Sequence, residues 1–202
     1  LESTEMRNMS ASYIVLLCLF TASSAEVVVK SRSEWGAAEP TEPRTYIDGE
    51  VPFVIIHHSG GNNNCSGRPC SQIVRNIQHY HMHEKNWADI GYNFLVAPTG
   101  EVFEGRGWGV VGAHAVLYNH KSVGICLIGN YQEIDPPQVQ MTAAKELIMQ
   151  GVSKGKINRF YKLVGHRQVR ATTCPGDKLY NKLLLWPRFT PDPNAVSFRD
   201  FS

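Results

Sequence analysis

The chain has 202 residues, with 20 lysines and arginines against 18 aspartates and glutamates, a formal net charge of +2. So balanced a charge gives no clustered basic surface for nucleic acid or for polybasic attachment to membranes, and no nucleic-acid partner is expected. Hydrophobic residues make up 43%, which suits one domain with a sizeable core.

Residues 1–25 read as an upstream flank and a signal peptide. From Met6 a single arginine precedes an apolar block over 13–20 and the small residues Ser23 and Ala25, with cleavage expected after Ala25. That block is too short to span a bilayer, and no later stretch approaches about 20 apolar residues. The mature chain is therefore expected to be secreted and extracellular, without stable membrane insertion.

Residues 26–30 form an N-terminal arm, with Trp35 expected to dock onto the domain and the proline-rich 39–43 to be loop. The continuous apolar run 51–57 is of strand length and reads as a central strand covered on both faces. A polar loop follows over 59–68, where Asn64-Cys-Ser is a glycosylation sequon. Over 71–85, Ile73, Ile77 and either Tyr80 or His81 recur at helical spacing behind Ser71 as cap. Residues 92–97 and 102–104, joined by Pro98-Thr-Gly-Glu, read as a hairpin, and the glycine-dense 105–112 as loop. A second apolar strand is expected at 122–129. Thr142 then caps a second helix to Val152, with Ala143, Leu147 and Ile148 on its buried face. A short strand at 162–164 leads to a third helix over 177–186, stopped by Pro187, and the polar 190–202 is a mobile tail. These elements describe an α/β fold, a single domain over 26–189 with a central mixed β-sheet flanked by about three α-helices.

Cys18 leaves with the signal peptide, so four cysteines remain and three pairings are formally open. Cys65 and Cys70 flank Ser-Gly-Arg-Pro in a polar loop, which suits a local disulfide in an oxidising compartment. Cys126, within Val-Gly-Ile-Cys-Leu-Ile, reads as a buried hydrophobe. Cys174 is left for a metal. Eight positions before it stands His166, and His57 closes the apolar run upstream. Two histidines and one cysteine make three protein ligands, the number a catalytic zinc uses when its fourth position stays open.

Ordered through the chain are Val-Ile-Ile-His-His-Ser, Asn-Ile-Gln-His-Tyr-His-Met, Asp-Ile-Gly-Tyr-Asn-Phe, Phe-Glu-Gly-Arg-Gly-Trp, Gly-Ala-His and Gly-His-Arg-Gln-Val. With these motifs the chain resembles the peptidoglycan recognition proteins, animal relatives of the zinc amidases, in a catalytic, short, secreted, insect-like form. The resemblance covers nearly the whole mature domain, from Ser33 to Pro187. It implies Zn2+ held by His57, His166 and Cys174, with Tyr92 and Thr172 as catalytic donors. It places the stem-peptide groove at His58, His81, Trp87, Tyr92, Arg106, His114 and Asn119. Arg106 falls where the family meets the extra carboxylate of diaminopimelate (DAP) stems, but Asn86-Trp87 combines half of the Gly-Trp common in DAP binders with half of the Asn-Phe common in lysine-type binders, which leaves the stem type open.

The implied activity is that of an N-acetylmuramoyl-L-alanine amidase in innate immunity, a monomer cutting the bond between muramic acid and L-alanine. The alternative is a receptor that binds peptidoglycan without cutting it and triggers a signalling cascade. The complete ligand set favours the enzyme, because a serine at 174 would offer a neutral hydroxyl where zinc takes a thiolate, although catalysis and signalling do not exclude each other.

Overall fold

The computed structural model describes residues 26–61 and 65–194. The expected signal peptide, Asn64 and residues 195–202 of the tail lie outside the described residues.

Its frame is a six-stranded mixed sheet in the order β1-β4-β3-β5-β2-β6. β2 (Val51–His58) is flanked by β5 (Ser122–Leu127) and β6 (Ile157–Gly165), both parallel to it. A strand paired on both sides with helices over both faces must be apolar throughout, which is why 51–57 lacks alternation. Pro52 is tolerated in this central strand because it sits where the register against β6 shifts, between Val51 and Phe53. β3 (Phe94–Val96) and β4 (Val102–Glu104) form the expected antiparallel hairpin, narrower at its start than the apolar run suggests. β1 (Val29–Lys30), from the N-terminal arm, adds a parallel edge to β4.

Register sorts the side chains into two layers. Val54, Ile56, Ile125, Leu127 and Leu163 meet α3 (Gln138–Ser153) and α4 (Asp177–Leu183) in one buried cluster. Leu95, Phe103, Cys126 and Ile128 meet α2 (Cys70–His79) through Ile73, Val74 and Ile77 in another, where Trp35 of α1 (Arg32–Trp35) also docks. Leu147 is fully buried, so its truncation to alanine would cost about 2–5 kcal/mol. A smaller cluster of Ile55, Ala115 and Val164 seals the second face beyond the reach of α2.

Three helix boundaries differ from expectation. α2 starts at Cys70 with Pro69 as N-cap, so Ser71 lies inside the helix and does not cap it. The disulfide from Cys65 ties that first residue down. α3 starts at Gln138 after Pro137, and Thr142 is an exposed interior residue. The first turn is held by buried Gln140, whose amide donates to the carbonyls of Val96 at 2.8 Å and Ile128 at 3.1 Å. α4 ends at Leu183, leaving Leu184 and Leu185 exposed. β6 is longer than the expected 162–164, because an edge strand carries Asn158, Arg159 and Phe160 toward solvent and these break the apolar run.

Beyond α2 the chain widens into a π-helical turn, Tyr80–Glu84, closed by the Lys85 N–H on the Tyr80 carbonyl at 3.2 Å. The wider turn leaves Tyr80 exposed and buries His81, which resolves the choice left open by helical spacing.

Candidate metal centre

At the carboxyl ends of β2 and β6 the register decides what meets. Ile56 is paired with Gly165, so the next residues, His57 and His166, stand side by side with ring centroids 4.3 Å apart. Such carboxyl edges of parallel strands are where open α/β sheets place their sites. His166 begins a 3-10 turn, His166–Gln168, in which Gln168 Oε1 accepts the Gly165 N–H at 2.8 Å.

The loop after this turn must bring Cys174 back, and Arg167 holds it there. Its backbone N–H donates to the Cys174 carbonyl at 2.9 Å, and its guanidinium donates to the Thr173 carbonyl and, at 2.7 Å, to Asp177. The same guanidinium lies 4.9 Å from the Tyr180 ring centroid. The sulfur then sits 3.8 Å from His57 Nδ1 and accepts the His58 N–H at 3.4 Å. Donor atoms of His57, His166 and Cys174 all lie within 4.8 Å of one another.

Burial holds the imidazoles neutral. His57 is pushed well below its usual pKa by burial first and then by His114, His166 and His58. Burial likewise brings His58 and His166 to about 4. Cys174 goes the other way: burial pushes its thiol up to about 12, against the His58 N–H and the Arg167 charge. Two neutral imidazoles and a thiol that needs a nearby cation to shed its proton suit a divalent metal. His166 Nε2 is buried with no hydrogen-bond partner, a lone pair left for such an ion. The residues present therefore fit the group, and a metal can be held here by one sulfur and two nitrogens.

Of the other expected residues, Tyr92 and His114 face the His57 ring directly. Tyr92 lies 5.3 Å from His57 by ring centroids, and burial holds its phenol well above the usual range, so it stays a donor. Thr172 is exposed, and its hydroxyl accepts the Cys174 N–H at 3.2 Å, leaving its own proton to give. His81 stacks on Trp87 at 4.7 Å and accepts the Gly91 N–H at 3.0 Å. His58 Nδ1 accepts the Tyr131 N–H at 3.2 Å. Arg106 is half-buried, with Nε on the Ile90 carbonyl at 2.8 Å and Nη1 on the Val111 carbonyl at 2.9 Å. Asn119 Oδ1 accepts two backbone N–H groups, from His114 at 2.9 Å and Ala115 at 2.8 Å. His114 Nδ1 lies 3.1 Å from His57 Nε2.

The expected disulfide joins Cys65 to Cys70, Cys126 is a free buried thiol, and Cys174 is free. Sequence reasoning missed Arg167 as the clamp of the cysteine loop. The available signal was an arginine beside one ligand with an acid, Asp177, at the head of the next helix.

Comparison with known proteins agrees with this geometry. A family model described as N-acetylmuramoyl-L-alanine amidase matches residues 48–177. Peptidoglycan-recognition protein SC2 of Drosophila melanogaster is 44% identical over 174 residues, 86% of this chain and 94% of the relative. Wild-type Drosophila PGRP-LB is similar in structure with a TM-score of 0.79 and 45% identity, over 84% of this chain and 99% of that one. PGRP-LE, solved with tracheal cytotoxin, a monomeric diaminopimelic acid-type peptidoglycan, gives a TM-score of 0.78 at 34% identity over 80% and 95% of the two chains.

Proposed function

The chain belongs to the peptidoglycan recognition proteins, within the N-acetylmuramoyl-L-alanine amidase family, and from that membership we propose that its metal is zinc and its preferred substrate DAP-type peptidoglycan. It is an amidase with a candidate catalytic metal cluster at His57, His166 and Cys174. The bond cut is the amide between N-acetylmuramic acid and the L-alanine of the stem peptide, in innate immunity. The observation that carries the reading is the convergence of two neutral imidazoles and a free thiol within 4.8 Å.

Zinc held there by His57, His166 and Cys174 would supply a Lewis acid, of the kind that lowers the pKa of water to about 7. Everything else is supplied by the chain. The Tyr92 phenol and the Thr172 hydroxyl donate to the oxyanion or to the leaving amine, charge that develops only in the transition state. His58, His81, Trp87 and Asn119 line the groove for the stem peptide, with Asn119 holding its wall through the His114 backbone. Arg106 recognises the DAP carboxylate. Its Nε and Nη1 bonds to carbonyls fix the plane of the guanidinium, and Nη2 has donors to give a carboxylate. The binding of monomeric DAP-type peptidoglycan by PGRP-LE supports that choice.

Among the described residues no helix is long and apolar enough to cross a membrane. The leader read from the sequence of 1–25 and the disulfide, a bond of oxidising compartments, support secretion. A receptor that binds without cutting has no need of a free thiol set against His57.

The test is elemental analysis of the purified protein together with digestion of purified cell wall. We expect about one zinc per chain and release of stem peptides with new L-alanine amino termini, abolished by a chelator. A zinc-loaded protein that binds wall and releases nothing would establish the receptor instead.

A further inference from the structure

Both histidines of the contact between His57 and His114 are buried, 1% and 8% exposed, and the link runs from Nε2 of the first to Nδ1 of the second at 3.1 Å. His57 turns its other nitrogen, Nδ1, toward Cys174 Sγ. A neutral imidazole carries one proton on one nitrogen, so the pair has two neutral arrangements. In one, His57 Nε2–H donates to His114 Nδ1, and the Nδ1 lone pair of His57 faces the metal. In the other, His114 Nδ1–H donates to His57 Nε2, and His57 carries its proton on Nδ1, where it blocks the metal.

We propose that His114 is the positioning residue that fixes His57 in its metal-binding tautomer and orientation, acting behind the metal centre and not only on the stem peptide. The inference rests on the metal-centre reading. Outer partners of metal-bound histidines are usually carboxylates, backbone carbonyls or water, which accept a hydrogen bond without a tautomer of their own. Here the acceptor is a second imidazole, so the proton position on one ring sets that on the other.

His114 is built in to do this. An added Cβ on Gly112 or on Gly124 would stand 2.4 Å from a carbon of its ring, so the ring occupies the space two missing side chains leave. Its backbone N–H and that of Ala115 are held by Asn119 Oδ1. The two rings meet edge to face, at an interplanar angle of 82°.

The test measures zinc affinity by chelator competition, without substrate, for the full secreted chain and for His114→Ala, His114→Asn and His114→Leu. Loss of the acceptor should weaken zinc binding by about 10- to 100-fold in the alanine variant. His114→Asn, whose Oδ1 accepts near the place of Nδ1, should recover most of the loss, and His114→Leu, which fills the space without an acceptor, should not. If the alanine variant fails to fold, the Asn and Leu pair decides. Nitrogen-15 shifts of His57 should place its proton on Nε2 in the parent and redistribute it in His114→Leu. Equal zinc affinity in parent and leucine variants, or a His57 proton on Nδ1 in the parent, would overturn the proposal. A parent that binds zinc with the expected coupling but cuts no wall sinks the amidase reading alone, and the tautomer remains measurable in a chain that binds no zinc.

Discussion

Cys174 Sγ lies 3.8 Å from His57 Nδ1, although 117 positions separate the two residues in the chain. A metal joining them therefore ties β2 to the loop before α4. Cys174→Ser should lose metal and hydrolysis together while keeping most muropeptide binding, because the side chains proposed for the groove, His58 apart, stand away from the cysteine loop and its contacts. The parent should also gain thermal stability on adding zinc, by the mass-action term that any ligand of the folded state supplies, and the variant should not. A Cys174→Ser protein that digests wall at the parental rate would place the chemistry elsewhere.

Tyr92 is a donor beside the His57 ring, 5.3 Å away by ring centroids, whose loss should leave the metal in place. Its phenol, kept protonated by burial, can serve the oxyanion but not as a base at neutral pH. Tyr92→Phe should retain zinc and lower kcat by about 100- to 1000-fold, the usual cost of one oxyanion donor. Unchanged kcat with full metal content would remove the phenol from the reaction.

Arg106 is fixed by the Ile90 and Val111 carbonyls, so its remaining donors point one way before any ligand arrives. A DAP side chain ends in a carboxylate that lysine lacks. We expect faster cleavage of DAP-type than of lysine-type muropeptides, and a smaller ratio in Arg106→Val. Equal rates in the parent on matched soluble substrates would refute the preference, and an unchanged ratio in the variant would clear Arg106.

Arg167 closes the cysteine loop through Thr173, Cys174 and Asp177. Removing the fork in Arg167→Ala should free that loop and loosen zinc by about tenfold, as loss of an outer support does. Arg167→Lys keeps the charge without the planar fork and should recover little. Chelator competition reads both, and parental affinity in the alanine variant would count against the clamp.

His81 should make stability fall in mild acid. Burial first, then the charges of Arg106 and Lys85 against that of Asp89, holds its pKa at about 4 where 6.5 is usual. Its neighbours Trp87 and Tyr92 bring no charge. From about pH 6.5 down to about 4 the unfolded chain binds a proton here that the folded one refuses, so this contribution is complete above 6.5 and lost on descending to 4. His81→Asn keeps an acceptor for Gly91 without a titrating ring. Its urea midpoint should vary less with pH over that range than the parent's, and identical slopes would refute the assignment.

The sequence by itself determined the sheet's centre, because an apolar run with no alternation has no solvent-facing side and only a strand covered on both faces satisfies it. It also determined the chemistry on offer, two histidines and a cysteine, since residue type limits what can bind a metal. Local signals failed where a distant contact outweighs them. Gln140 and Pro137 start α3 ahead of Thr142, and the π-helical turn decides for His81 over Tyr80. Whether the three ligands meet was decided only by tertiary structure, through the pairing of Ile56 with Gly165 that sets His57 beside His166. The fold alone likewise put His114 behind His57 and Arg167 across the cysteine loop, for neither hydrogen bonds across long stretches of chain nor the space above Gly124 is written in the spacing of residues.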